Sequence, residues 1–173
     1  MRDPTAEPDA PTVPVIRHAL TSDLPRLGRL GAFLVEAHHE FDPPRFLAAN
    51  HRTAAGYASF LSIKLEDPKT AILVAEMNAE VIGYAYAAVQ GYDYLSLRGP
   101  AGVLHDLIVD PQYRNRGVGA LLIEAAIEFL KARGAPRVVL STAERNQAAQ
   151  RLFTRMGFRR TMVEMTRELE END

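Results

Sequence analysis

Apolar residues follow two spacings along the chain, and the change of spacing outlines the predicted elements. VPVIRHA is a short β-rich run, and leucines at 24, 27, 30 and 34 then recur at helical spacing. Asp42-Pro43-Pro44 must end that helix, because residues before proline avoid the helical conformation. A second helical pattern covers about 54–65. The pattern therefore predicts a strand followed by two helices.

The middle of the chain is rich in β-forming residues. TAILVAEMNAEVIGYAYAAVQ holds two such runs on either side of residues 77–80, which predicts an antiparallel hairpin. A glycine-containing loop at 91–102 leads to VLHDLIVD, an apolar strand with two polar residues embedded in it. The helix ALLIEAAIEFLKARG follows after another loop, and we expect Gly134 directly beyond its end.

The last third of the chain alternates strand and helix. PRVVLSTA predicts a strand, NQAAQRLFTRM a helix, and FRRTMVEMTREL a final strand. A strand, a helix and a strand in succession imply a parallel pair with a right-handed crossover. Together with the hairpin, this predicts a mixed α/β sheet with helices on its faces.

Composition restricts the class of protein. A chain of 173 residues suits one domain, and 47% hydrophobic with 24% charged residues is ordinary globular composition. Because the net charge is -2, there is no bulk electrostatic argument for a nucleic acid or an anionic membrane as partner. There is no cysteine, which excludes disulfides, thiolate zinc sites and a cysteine nucleophile.

The two ends of the chain differ from its middle. Residues 1–12 are rich in proline and lack apolar periodicity, which predicts a disordered lead before a single domain at 13–168, and residues 169–173 form an acidic tail. No apolar run approaches the ~20 residues of a membrane span, and the start has acids and prolines where a signal peptide has basic and apolar residues. We expect a cytoplasmic protein.

The loop YRNRGVG joins the strand VLHDLIVD to the next helix. Gly117 and Gly119 lack side chains where the unpaired amides of a helix start point outward. Such amides, together with the helix dipole, favour an anion, and Arg114 and Arg116 add donors suited to phosphate oxygens. The loop is therefore a candidate phosphate site, although a basic loop that only caps a helix has the same composition.

Three phosphate-binding patterns can be compared with this loop. A Walker A loop needs Lys-Ser/Thr after its last glycine, but Ala120 and Leu121 stand there. A dinucleotide fingerprint needs a third glycine, and Leu122 occupies that position. The pyrophosphate loop of acetyl-coenzyme A enzymes, Arg/Gln-x-x-Gly-x-Gly/Ala, matches residues 114–119 at every defined position.

Context makes this match more specific. VLHDLIVDP, YRNRGVG, a helix, RVVLSTA and then Asn146-x-x-Ala149-x-x-Leu152-Phe153-x-x-x-Gly157-Phe158 occur in that order. From about Val15 to about Thr166 the chain resembles the GNAT superfamily of N-acetyltransferases. The resemblance implies a mostly antiparallel sheet with a central, splayed parallel strand pair and helices on both faces.

The resemblance also implies acetyl-CoA as co-substrate, an amine as acceptor, and a set of cofactor contacts. Backbone groups of 107–109 would pair with the pantetheine arm, and amides of the loop would hold the pyrophosphate. The implied cofactor residues are Leu107, Ile108, Val109, Arg114, Asn115, Arg116, Gly117, Val118, Gly119, Ala120, Asn146, Ala149 and Phe153. Phe153 is a departure, because the family often has a tyrosine there as general acid. No metal is implied, and a homodimer is common in the family.

Direct attack of an amine on the thioester needs a base and an oxyanion donor. A typical amine has a pKa near ~10 and must lose a proton. His105 and Asp106 are the candidate bases, and adjacent strand residues point to opposite faces, so we expect only one to reach the thioester. Asp106 could instead orient the loop of His105 or pair with Arg114. The amide of Leu107 is the candidate oxyanion donor.

Other polar residues are weaker candidates. Glu76 could act as a base, and His38, His39, Glu40 and Asp42 form a polar cluster that suits a substrate-facing loop or a solvated helix end better than a metal. Tyr92 and Tyr94 could line an acceptor pocket or lie on the surface.

Two alternatives to an enzyme remain open from the sequence. The missing hydroxyl at Phe153 favours a noncatalytic acyl-CoA-binding or regulatory module on the same fold. A nucleotide-binding protein is the second alternative. The acceptor is not identified by any motif, so small amines, amino acids, peptide N-termini and lysine side chains all remain candidates.

Overall fold

The computed structural model describes residues 13–169, so the expectations for 1–12 and for residues 170–173 of the tail lie outside the described residues. The strands are β1 Val15–His18, β2 Thr70–Met77, β3 Glu80–Gln90, β4 Ala101–Val109 and β5 Val138–Leu140. The helices are α1 Leu24–Phe41, α2 Thr53–Leu65, α3 Val118–Ala132 and α4 Gln147–Arg155, with short 3-10 turns at Thr21–Asp23 and Pro111–Tyr113.

The strands form one mixed sheet in the order β1-β2-β3-β4-β5. The first four are antiparallel neighbours, whereas β4 and β5 are parallel. The predicted hairpin is present, with both turn residues, Asn78 and Ala79, at positive φ as a tight two-residue turn requires. The predicted fold class, a mixed α/β sheet within one domain, is confirmed.

Both faces of the sheet are buried, which explains the nearly continuous apolar runs in β2 and β3. Leu73, Ala85 and Leu104 face α3, and fully buried residues of that helix such as Leu122 and Ile123 pack on them. Ile72, Tyr84, Tyr86 and Ile108 face α1 and α2 on the other side. None of the helices in residues 13–169 combines the length and apolar character that a membrane span requires.

The predicted final strand at 158–169 is wrong. After α4 the described chain forms no strand, and its apolar residues remain exposed, with Met165 89% accessible. The β-rich composition of the segment does not suffice, because β5 is only three residues long and offers a short edge for pairing. Arg160 pairs with Glu144, and Glu164 with Arg45, so polar contacts hold the segment on the surface. The parallel pair β4–β5 therefore lies at one end of the described sheet.

Candidate active site

A β-bulge in β4 defines the centre of the candidate site. Tyr86 pairs with Asp106 and Ala87 with Leu104, so His105 is an extra residue without a partner on β3. The bulge cancels the usual alternation: Leu104 faces α3, whereas His105 stacks on Tyr86 and Asp106 bonds to Tyr84, both on the opposite face. The strand alternation behind the expectation that only one of the two residues reaches the thioester is therefore absent here, because the bulge turns both side chains to one face.

Beyond the bulge, one edge of β4 is open. The parallel pairing with β5 stops at Leu104 and Leu140, while β4 continues to Val109. The amide of Asp110 donates to Ile82, and antiparallel ladders alternate, so the backbone groups of Ile108 face β3 and those of Leu107 and Val109 face the open edge. The amide of Leu107 therefore faces the open edge, whereas the backbone groups of Ile108 pair with β3.

The arginine–glycine loop meets the far end of this open edge. Gly117 caps α3 with φ +80, and Asn115 is also left-handed at φ +61. The amides of residues 115–119 donate no backbone hydrogen bond within residues 13–169, so they are free to face an anion at the helix start. Arg114 Nε donates to the carbonyl of Val109 at 3.1 Å, which fixes the loop against β4.

Helix α4 lies on the other side of the open edge of β4. Asn146 caps this helix, and its side-chain oxygen accepts the amide of Ala149 at 3.1 Å, which leaves the side-chain NH₂ group for another partner. A Cβ on Gly119 would lie 3.1 Å from Leu152 Cδ2, so the glycine permits close approach of α3 to α4. Phe153 is 8% exposed and packs edge-on against Phe158.

A cleft of about 300 Å³ opens at the point where β4 and β5 separate. Its walls come from α1, the following loop, α2, β4, β5 and α4. The lining residues are Leu34, Val35, His38, Phe46, Leu47, Tyr57, Leu104, His105, Asp106, Leu107, Leu140, Ser141, Thr142, Asn146, Ala149 and Phe153. The cleft therefore brings together both candidate bases and four of the implied cofactor residues, Leu107, Asn146, Ala149 and Phe153.

Asp106 is held by two phenols. Tyr57 Oη donates to Asp106 Oδ2 at 2.8 Å and Tyr84 Oη to the same oxygen at 3.1 Å. Burial raises the pKa of Asp106 above its ordinary value, although the two phenol hydrogen bonds oppose this shift. The expected pairing with Arg114 is wrong, since Arg114 lies at the far end of β4 and contacts Val109.

Tyr57 is a site residue that the sequence did not reveal. The sequence pattern predicts only that Tyr57 belongs to the apolar face of α2, and no local motif indicates a role for its hydroxyl. Gly31 of α1 makes its position possible, because a Cβ there would lie 2.2 Å from the Tyr57 ring. Burial, followed by the charge of Asp106, raises the pKa of Tyr57 well above the ordinary range, so the phenol stays protonated and remains a donor.

His105 occupies the rim of the same site. Arg98 Nη2 donates to Gln90 Oε1 at 2.8 Å, which orients the Gln90 amide so that its Nε2 faces His105 Nε2 at 3.2 Å. Because an amide NH₂ only donates, His105 Nε2 must be the unprotonated nitrogen of a neutral ring. Burial, with the nearby charges of Lys64 and Arg98, lowers the pKa of His105, which agrees with the neutral form.

The remaining candidates divide between the cleft and other locations. His38 lines the cleft, with Nδ1 2.8 Å from the carbonyl of Leu34, whereas His39 contacts the carbonyl of Phe46. Glu76 accepts hydrogen bonds from Arg17 at the opposite end of the sheet from the cleft. Tyr92 and Tyr94 stack on each other and are 74% and 84% exposed, away from the cleft lining.

Comparison with known proteins identifies the family. The profile of the Acetyltransferase (GNAT) family matches residues 32–158, a range that includes the second part of α1, the bulged strand, the loop and α4. The chain belongs to the GNAT acetyltransferase family. This match confirms the resemblance found in the sequence. The family uses acetyl-CoA as co-substrate, and the interpretation as a different kind of nucleotide-binding protein is not supported.

Relatives and solved structures agree with this assignment. The uncharacterized N-acetyltransferase YhfO of Bacillus subtilis is 31% identical over 83% of this chain and 88% of its own length. A mycothiol acetyltransferase of Thermobispora bispora is 32% identical over 72% of this chain and 47% of its own. The tetramutant of the BH1408 protein from Bacillus halodurans has the same fold, with a TM-score of 0.79, 24% identity, and coverage of 90% and 99%.

The relatives from Bacillus subtilis and Thermobispora bispora carry the name N-acetyltransferase or acetyltransferase, and the family consists of acyltransferases. The interpretation as an enzyme is therefore confirmed. The chain spans about half the length of the mycothiol acetyltransferase and of a relative from Methanocaldococcus jannaschii.

Proposed function

We propose that this chain is an acetyl-CoA-dependent N-acetyltransferase that moves the acetyl group to a primary amine by direct attack in a ternary complex. The observation that carries the proposal is the position of a carboxylate at the β4 bulge, in the cleft where the open edge of the strand begins. A thioester laid along this edge would end beside Asp106 and the amide of Leu107. In this proposal, the identity of the co-substrate follows from family membership, and its position follows from the shape of the cleft.

The cofactor would lie along the open edge of β4. Its pantetheine arm would pair with the outward backbone groups of Leu107 and Val109, as another strand would. Its pyrophosphate would meet the amides of 115–119 at the start of α3, where the dipole and the free donors favour negative charge. Arg116, whose guanidinium lies over the Tyr113 ring, would add charge beside it. The cleft-lining residues Asn146, Ala149 and Phe153 would contact the arm from α4.

The amine must lose a proton before its nitrogen attacks the thioester carbonyl carbon. Asp106 supports this role best, because its pKa is raised and only Oδ2 accepts the two phenol hydrogen bonds. His105 is the second candidate: its ring is neutral and can accept a proton, but Nε2 must first release Gln90. The tetrahedral oxyanion would accept a hydrogen bond from the amide of Leu107.

Collapse of the intermediate breaks the carbon–sulfur bond and releases coenzyme A as a thiolate. A thiol pKa near ~8.5 makes the thiolate a tolerable leaving group at neutral pH, so a general acid helps without being required. Phe153 cannot donate a proton, and we propose that the reaction proceeds without a donor at this position. The phenyl ring would pack beside the end of the pantetheine arm instead.

An assay of free-thiol release from acetyl-CoA with a panel of primary amines tests the function. We expect amine-dependent release, and thermal stabilisation by coenzyme A but not by NAD or ATP. Stabilisation by coenzyme A without release for any amine would support the noncatalytic acyl-CoA-binding alternative instead. We also propose a cytoplasmic location, since acetyl-CoA is a metabolite of the cell interior, and a homodimer by analogy with the family.

A further inference from the structure

The acceptor side of the cleft contains a single acidic group. α1, the loop after it, α2 and the bulge contribute Leu34, Val35, His38, Phe46, Leu47, Tyr57, His105 and Asp106. Asp106 is the only carboxylate among the described residues that line the cleft, and lysine and arginine are absent from the same lining. An acceptor that carries several charges would therefore find one partner for them.

Asp106 presents one oxygen to this space in a fixed orientation. Oδ2 is occupied by the hydroxyls of Tyr57 and Tyr84, while Oδ1 accepts no side-chain hydrogen bond in the described part of the chain. Every buried side-chain oxygen and nitrogen in that part has a partner, so Oδ1 is accessible rather than buried. Because Asp106 lines the cleft, Oδ1 is available to a cationic ligand.

The rest of the acceptor side is apolar and partly uncovered. Leu34, Val35 and Phe46 are half-buried, and Leu47 is 82% exposed although it lines the cleft. Apolar surface in a concave site is typical of a pocket that buries an apolar ligand. The volume of about 300 Å³, part of which the thioester must occupy, is at the lower end for ligand pockets and favours a small acceptor.

From these observations we infer that the acceptor is a small primary amine with one positive charge on an apolar body and with no carboxylate or phosphate group. The inference rests on the proposed function and specifies its substrate class. The ammonium group would bind Asp106 Oδ1, and the body would lie against Leu34, Phe46 and Leu47. Tyr57 and Tyr84 act as positioning residues, because their hydroxyls donate to Oδ2 of the carboxylate and not to the amine.

The chemistry of the lining disfavours the competing acceptor classes. A carboxylate on the acceptor would approach Asp106, and the lining offers only the imidazoles of His38 and His105, with no lysine or arginine, to compensate it. A second ammonium on the acceptor body would be desolvated against apolar side chains. Each unpaired charge should lower kcat/KM by about ten- to a hundredfold relative to the matched monoamine.

Matched pairs of acceptors test the inference. Hexylamine and its diamine analogue differ by one ammonium group, and phenylethylamine and phenylalanine differ by one carboxylate, with phenylalanine amide as a control for added bulk. We expect hexylamine and phenylethylamine to be preferred by at least about tenfold in kcat/KM. Equal or better use of the diamine, of phenylalanine or of a lysine-containing peptide would overturn the inference.

Two exposed leucines provide variants that should fold. Leu47→Glu adds a second carboxylate to the acceptor wall and should narrow the preference for hexylamine over its diamine analogue by several-fold. Leu95→Glu makes the same change at a fully exposed position outside the cleft lining and should leave the preference as it is. An unchanged preference in Leu47→Glu would overturn the assignment of this wall to the acceptor.

A binding measurement distinguishes failure of this inference from failure of the proposed reaction. If no amine is acetylated, the same pairs are titrated by calorimetry into the protein saturated with coenzyme A. Tighter binding of the monoamines would support the acceptor class while the proposed reaction fails. Equal binding within each pair, or no binding of any amine, would overturn the acceptor class as well.

Discussion

The two sides of the cleft differ in the kind of group that they present to a ligand. The side proposed for the cofactor presents main-chain groups, namely the open edge of β4 and the amides of 115–119, which donate no backbone hydrogen bond within the described residues. The acceptor side presents side chains from α1, α2 and the loop between them, arranged around Asp106. Main-chain groups suit a co-substrate that the whole family shares, whereas side chains can change with the acceptor.

Of these variants, Gly117→Glu should give the largest effect, and it should change the binding of coenzyme A without changing the acceptor side. The residue has φ +80, and nothing lies within 4 Å of a Cβ there, so the new carboxylate would extend into the space in front of the amides. We expect calorimetry to show loss of coenzyme A binding by a folded protein.

Gly134→Glu is the matched control at the other end of α3. Gly134 has φ +77 and equally open surroundings, so the backbone strain is comparable, but no phosphate would bind there. This variant should bind coenzyme A as the wild type does. Tight binding by folded Gly117→Glu would show that the loop is not the pyrophosphate site.

Asp106→Asn should affect the acceptor side without changing affinity for coenzyme A. Loss of the base would lower kcat by about 10²–10⁴-fold. The acidic limb of the pH–rate profile should also disappear, because the rate of the wild type falls as the carboxylate is protonated at low pH. The pKa of Asp106 is raised and the pKa of His105 is lowered, so the limbs expected for the two candidate bases move towards each other on the pH scale. Variants must therefore assign the limb.

His105→Ala is the comparison for this assignment. If His105 is the base, this variant loses the limb and Asp106→Asn keeps it. The stability of Asp106→Asn checks that the fold is intact. A pKa raised by folding means that the ionised carboxylate lowers stability above that pKa, so the asparagine variant should melt no lower than wild type at pH 7.

Gly31→Ala should have a moderate effect that also remains on the acceptor side. The added methyl would lie 2.2 Å from Tyr57 Cδ1, so the ring must move and its hydroxyl must leave Asp106. We expect kcat to fall by about tenfold, on the scale of one hydrogen bond to a charged group, with unchanged affinity for coenzyme A.

Tyr57→Phe removes the same hydroxyl without crowding and should reproduce the kinetic loss. Overpacking by the alanine should also lower stability by roughly 1–3 kcal/mol, a contribution that is absent from Tyr57→Phe because that change adds no atoms. Full activity in both variants would show that the orientation of Asp106 does not depend on Tyr57.

Phe153→Tyr should have the smallest effect. The side chain lines the cleft, and a hydroxyl added to it would lie beside the proposed position of the sulfur. We expect a folded enzyme that is as fast as wild type or faster, whereas Phe153→Ala should weaken both binding and turnover because packing is lost. A Tyr variant much slower than wild type, with unchanged coenzyme A affinity, would contradict the placement of residue 153 beside the thiol.

The same difference explains what the sequence could predict. The loop at 114–119 and the Asn146 helix were predictable because main-chain binding depends on glycine, a cap and a helix start, which leave local patterns. The bulge at His105 was not predictable, since it depends on how β3 and β4 pair across the sheet. The role of Tyr57 was not predictable either, because it requires the packing of α2 on Gly31 and a hydrogen bond to Asp106, 49 positions along the chain. The segment 158–169 was predicted as a strand from composition, but a strand also needs a partner of sufficient length.

The central claim is that a thioester on the cofactor side meets an amine on the acceptor side. Acetyl-CoA with an isotopically labelled acetyl group, incubated with the protein and hexylamine, tests this directly by mass spectrometry of the amine. We expect the label to appear on the amine nitrogen in the same amount as free thiol is released. Thiol release with the label recovered only as acetate, or no release while coenzyme A binds, would contradict it.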